Sequence, residues 1–209
     1  MKQIYIAGPS GSGKTTLCKR LSESEDQLVH VSLDKEVTAI FDDLGTGAPT
    51  LETRGQAFWE FSKKVLDNLS QTTMSDIVLL IDLDGDAAYV PDCQAFLIDH
   101  CASFISITGE PDVTYERASS RAAQMGNPPQ AKEDFVNLEY SPAMQRLVQA
   151  AAIRIDTSTD TLEMSQEQFR AAVYKIAKGV EYAPPTRKKS AATATDTSDS
   201  GHRIIDQKR

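Results

Sequence analysis

Residues 3–16 read QIYIAGPSGSGKTT: an apolar run, then three glycines, two serines and a proline, then a lysine and two threonines. Ordering so polar a loop costs backbone entropy and buries little apolar surface, so the segment needs a ligand or a role to offset that cost. Gly8 to Thr15 fits G-x-x-x-x-G-K-[ST] without a mismatch, with a strand pattern before it and a helix pattern after it. Glycines let the backbone curl until successive N–H groups converge on one anion, and the head of the following helix adds its positive dipole end. Gly8, Pro9, Ser10, Gly11, Ser12 and Gly13 thus form a phosphate cradle. Lys14 reaches the β- and γ-phosphates, Thr15 presents a hydroxyl to Mg²⁺, and Thr16 bonds the α-phosphate.

Working outward, short apolar runs alternate with helix-length amphipathic segments. Strands are expected at 3–7, 28–32, 77–82, 104–108 and 152–156. Most of these runs are nearly continuously apolar, as in strands covered on both faces. Helices are expected at Thr15–Ser24, Lys35–Leu44, Leu51–Leu69, Cys93–His100, Pro111–Met125, Asp134–Ala150 and Ser165–Lys178, the last stopping at Gly179. The alternation predicts an α/β protein: a three-layer P-loop NTPase fold with a five-stranded parallel sheet and helices on both faces. The segment GNPPQAK at 126–132 is polar, broken by prolines and flanked by helices, which suits a lid over about 122–134. One domain spans 1–182. From 183 to 209 small polar residues dominate, no apolar period survives, and a disordered, mildly basic tail is expected.

The chain has 209 residues, 40% of them hydrophobic, enough for one sizeable core. Net charge is −8; the tail holds six Lys/Arg against three Asp/Glu, leaving a body of 16 against 27, or −11. So acidic a body argues against a general nucleic-acid binder. No membrane span or secretion signal is evident, which makes the cytoplasm the default location. Cys18, Cys93 and Cys101 lack metal-ligand spacing and read as free thiols. The guanine-reading N/T-K-x-D motif is missing, and the D-x-x-G match at 42–45 falls on a helix end. Size and motif together favour a phosphoryl-transfer enzyme.

From the phosphate loop onward, the chain resembles small-metabolite and nucleotide kinases of the shikimate kinase, gluconate kinase and adenylate kinase class, over about residues 1–180. The resemblance implies ATP and Mg²⁺ as nucleotide and cofactor. It places Asp34, after the second strand, beside the acceptor hydroxyl, and Arg54 as an acceptor-binding arginine. TYERASSR at 114–121 is similar to the helix leading into the lid, with Arg117 and Arg121 as phosphate clamps and Arg121 acting in catalysis. Residues 137–158 resemble the closing helix, last strand and adenine-side loop. The chain departs from shikimate kinases in its acceptor half: IDLDGDAAY replaces a three-glycine run, Ser32 stands for an acidic residue, and GNPPQAK replaces an arginine-rich lid.

The residues themselves give Asp34 two readings, as general base at the carboxyl edge of the sheet and as helix N-cap. Asp82 ends an apolar strand as a Walker B carboxylate does and is a metal-supporting candidate, an exposed turn residue being the alternative. Arg117 and Arg121 share a helical face, suited either to charge neutralisation or to solvated pairing with Asp112 or Glu116. Phe58, Trp59, Phe61, Val65 and Leu66 fall at helical spacing and read as core. His30, His100 and His202 carry no assigned chemistry. The function expected is transfer of the ATP γ-phosphoryl group to a hydroxyl or phosphate of a small metabolite or nucleotide-type acceptor. Two alternatives stand beside it: a kinase of a hydroxymethylated pyrimidine in DNA, with DNA as a less favoured partner, and a nucleotide-gated interaction protein. No membrane partner is expected.

Overall fold

The computed structural model describes residues 1–33, 51–71, 76–83 and 90–179, with the backbone alone described for 51–54. Five strands form one sheet: β1 (Lys2–Ala7), β2 (Leu28–Ser32), β3 (Val78–Asp82), β4 (Phe104–Thr108) and β5 (Ile153–Asp156). Their order is β2-β3-β1-β4-β5 and every pairing is parallel, as predicted. Between and after them lie α1 (Lys14–Ser24), α2 (Leu51–Ser70), α3 (Pro91–Asp99), α4 (Pro111–Gln124), α5 (Lys132–Glu139), α6 (Pro142–Ala150) and α7 (Leu162–Lys178).

Strand alternation divides the core into two layers. Ile4, Ile6, Leu80, Ile105, Ile107 and Ile155 point to one face and pack on Leu17, Cys18 and Leu21 of α1 and Phe169, Ala172 and Val173 of α7. Tyr5, Ala7, Leu79, Ile81 and Phe104 point to the other, against Phe58, Trp59 and Leu66 of α2, Cys93 and Leu97 of α3, and Met144 and Leu147 of α6. Each fully buried Leu, Ile or Phe contributes about 1.5–3 kcal/mol, so both layers are needed to hold the sheet. The aromatic face of α2 is therefore core, with Phe58 and Trp59 both buried.

One expected element is corrected. The single helix expected over 134–150 is two, α5 and α6, because Pro142 takes the first helical position and Ser141 caps it by accepting from the Met144 N–H at 3.4 Å. At the break, Glu139 meets the phosphate loop at Ser10 and Tyr140 meets Gly109 and Thr114. Gly179 ends α7 in the left-handed conformation, φ 65°. The expected helix at 35–44, the turn-rich 45–50, Asp84, Asp86 and the tail at 183–209 lie outside the described residues.

Candidate active site

The glycine loop leaves β1 at the carboxyl edge of the sheet, beside its centre, and runs into α1 at Lys14. Its curl depends on close approaches. Gly8 sits at φ 150°, where a β-carbon would lie 1.9 Å from the Ile107 carbonyl oxygen, and Gly11 at φ 76°, where one would lie 2.1 Å from that of Thr114. The loop is thus pressed against β4 on one side and α4 on the other. The Lys14 ammonium donates to the carbonyls of Gly8 at 2.8 Å and Pro9 at 3.0 Å, so it already spans the loop it would serve.

A cavity of about 320 Å³ opens over this loop, lined by Ser10, Gly11, Gly13, Lys14, Thr15, Thr16, Asp82, Leu83, Arg117 and Arg121. Four expectations meet in it: the loop, its lysine, the strand-end aspartate and both helix arginines. Asp82 is buried at the end of β3, and its Oδ2 accepts the Thr15 hydroxyl at 2.6 Å, while its Oδ1 is buried without a hydrogen-bond partner among the described residues. The exposed-turn reading of Asp82 is thereby set aside. A hydroxyl and a half-satisfied buried carboxylate are hard oxygen donors, which suits Mg²⁺.

The two arginines are not equivalent. Arg117 donates from Nη1 to the Thr157 hydroxyl at 3.2 Å and from Nη2 to the Thr157 carbonyl at 3.0 Å, strapping α4 to the segment after β5. The Thr157 hydroxyl also lies 2.9 Å from the Ser12 carbonyl and 3.0 Å from that of Thr108, its acceptors. Arg121, one turn on, is exposed and has no hydrogen-bond or ion-pair partner among the described residues, leaving its charge to the cavity. Segment 125–131, within the stretch expected to form a lid, carries no Lys or Arg. It is held to α4 by the Tyr115 hydroxyl on the Gln130 carbonyl, 3.2 Å, while the Tyr115–Phe135 edge contact and the Lys132–Asp112 ion pair at 3.1 Å tie α5 itself to α4.

A second cavity, about 220 Å³, adjoins the first through Gly13, Thr16 and Arg117 and continues to Ser12, Thr157, Asp160, Leu162 and Ser165. It lies where the resemblance put the adenine-side loop. Asp34 lies outside the described residues, two positions past the end of β2. Arg54 sits in the first turn of α2 and its side chain is likewise outside them.

Sequence reasoning missed three residues. Glu139 is buried, and its Oε2 accepts the Ser10 N–H at 2.9 Å, fixing the loop to α5. Tyr140 donates to the Gly109 carbonyl at 2.7 Å and contacts the Thr114 hydroxyl at 2.5 Å; its half-burial raises the phenol above its ordinary range. His30, given no chemistry, faces Asp82. The Thr-Asp, Glu-amide and Tyr-carbonyl partners lie 31 to 129 residues apart in sequence, so no local signal pairs them.

Known proteins place this architecture. A family described as AAA domain matches residues 4–90, from β1 to the start of α3. No curated protein matches the chain. Among solved structures, the shikimate kinase from Acinetobacter baumannii in complex with shikimate is similar at 19% identity and TM-score 0.55, covering 86% of this chain and 94% of that one. The shikimate kinase from Bacteroides thetaiotaomicron is similar at 18% identity and TM-score 0.54, over 82% and 98%. A gluconokinase from Sinorhizobium meliloti gives 13% identity and TM-score 0.50, over 85% and 94%. The fold is that of P-loop kinases of the shikimate kinase and gluconokinase kind, and the resemblance read from the sequence holds at that level.

Proposed function

We propose that the protein is an ATP-dependent kinase that transfers the γ-phosphoryl group to a hydroxyl, or a phosphate, of a small metabolite or nucleotide-type acceptor. The observation that carries this reading is the convergence, in one cavity, of the loop amides, Lys14, the Thr15–Asp82 pair and the unpartnered Arg121. The amides and Lys14 bind the β- and γ-phosphates; Thr15 and Asp82 would hold Mg²⁺, which supplies charge neutralisation between those phosphates. Arg121 offsets the charge that develops on the transferring group. Phosphoryl transfer asks little covalent chemistry of the protein, so positioning and electrostatics supply the rate. Asp34 is the proposed base: its place beyond the carboxyl end of β2 suits a carboxylate that accepts the acceptor hydroxyl's proton. Arg54, at the head of α2, is proposed to bind the acceptor. The second cavity suits the nucleoside, with Arg117 between base and phosphates.

The test is transfer of label from γ-labelled ATP to a pool of small hydroxylated metabolites and nucleotides, with hydroxymethylated DNA in parallel. Label in a small molecule, lost in Lys14→Ala and in Asp34→Ala, is the expected result. Label confined to DNA would reassign the acceptor. Nucleotide binding without transfer to anything would replace the kinase reading with that of a nucleotide-gated protein.

A further inference from the structure

His30 belongs to a strand whose neighbours on the same face are Leu28 and Ser32, and it lies over the α1 layer of an otherwise apolar core. In the parallel register of β2 and β3, His30 stands opposite Leu80 and Ser32 opposite Asp82, so its side chain and the Asp82 carboxylate share one face. The imidazole Nε2 is 3.7 Å from Asp82 Oδ2, just beyond hydrogen-bonding distance, with 13% of the histidine side chain and 5% of the aspartate side chain exposed. Nε2 is buried and has no hydrogen-bond partner among the described residues. An imidazole in such a place is costly unless its polar edge serves a neighbour, and among the described residues the acidic group beside it is Asp82.

We propose that His30 is a positioning residue for the cation site: with the Thr15 hydroxyl it brackets Oδ2 of Asp82, leaving Oδ1 as the carboxylate atom offered to the metal-nucleotide. The inference rests on the reading of Thr15 and Asp82 as the cation-holding pair. The geometry gives the histidine this role because Oδ2 is approached from two sides, by α1 through Thr15 and by β2 through His30, while Oδ1 has no hydrogen-bond partner among the described residues. Groups that orient a metal-holding carboxylate typically change metal affinity 10- to 100-fold when removed, without touching the metal or the phosphates. His30 has no place in the phosphate cradle, so binding of metal-free nucleotide is independent of it.

Mn²⁺ binding to the full chain with ADP, followed by electron paramagnetic resonance, tests this against ADP binding in EDTA. His30→Leu is expected to weaken Mn²⁺ binding about tenfold while ADP affinity in EDTA stays within twofold. His30→Gln, whose amide nitrogen reaches the position of Nε2, is expected to restore most of the loss; His30→Asn, which falls short of it, is not. Mn²⁺ affinity of His30→Leu within twofold of the native value would overturn the proposal. So would equal behaviour of the Gln and Asn variants, a comparison that survives even if the leucine variant does not fold. A native protein that binds ADP in EDTA but gains nothing from His30 leaves the phosphate-loop reading standing; one that binds no ADP under either condition removes both.

Discussion

Arg121 and Arg117 sit one helical turn apart and differ in what they touch, so their substitutions separate chemistry from architecture. Arg121 lines the cavity over the glycine loop, and its guanidinium has no partner among the described residues. Arg121→Ala is expected to lower kcat about 100- to 1000-fold, with the KM for ATP changing much less, the range seen when a preorganised transition-state donor is removed. Arg121→Lys recovers part of it, since a point charge replaces a planar fork. Arg117→Ala instead releases Thr157 and loosens the second cavity, so a raised KM for ATP and a lower Tm are expected with kcat less affected. Steady-state kinetics with a melting curve distinguishes the two, and a larger kcat loss in Arg117→Ala would reverse the assignment. Glu139 gives a parallel contrast. Glu139→Ala leaves the Ser10 N–H without its acceptor and is expected to cost about 1–3 kcal/mol in denaturant unfolding, while Glu139→Gln keeps an acceptor oxygen and loses less.

At the scale of elements, the site depends on how closely the phosphate loop lies against α4. Gly11→Ala would set a β-carbon 2.1 Å from the Thr114 carbonyl oxygen at a φ of 76°, so loop and helix must separate. The expected outcome is loss of nucleotide binding by calorimetry together with about 1–3 kcal/mol of stability. Retained affinity would show that the loop reaches its phosphate-binding shape without α4. Strands β2 and β4 match their expected limits and the others fall within a residue, because each is an apolar run bounded by polar turns. The loop was legible because its mechanism is local: every group it needs lies within nine consecutive residues. The α5–α6 break was written in Ser141-Pro142, but the apolar period running across it outweighed the proline. Glu139, Tyr140 and His30 were not legible, since their partners come from other strands and helices that only the fold brings together. For the same reason the Arg117–Thr157 contact was not legible: the two residues lie 40 apart in sequence.

Across the whole molecule, the two core layers each carry one buried thiol, Cys18 against the α1 face of the sheet and Cys93 against the α3 face. Burial pushes the Cys93 thiol up to about 12. Cys18 is also raised well above its ordinary value, by burial first and then by the negative charge of Asp82, with Lys14 pulling the other way. An unfolded thiol ionises near pH 8.5. Below that value both states hold the proton and stability does not depend on it. Above it the unfolded chain releases the proton and the folded chain keeps it, so stability falls as pH rises, by up to about 1.4 kcal/mol per pH unit for each thiol. Denaturant unfolding under reducing conditions from pH 8 to 10 is therefore expected to show a downward slope that begins near pH 8.5. Cys93→Ala lowers the whole curve by the cavity it leaves, but its signature is a shallower slope, less steep by up to about 1.4 kcal/mol per pH unit, because Cys18 and, toward pH 10, the raised phenols of Tyr5 and Tyr140 still contribute. An unchanged slope in Cys93→Ala would mean that this core layer opens before the sheet does, admitting water to the thiol in the folded state. Cys101, exposed on the surface, supplies the internal control: it reacts with a thiol reagent in the native protein while the two buried cysteines do not.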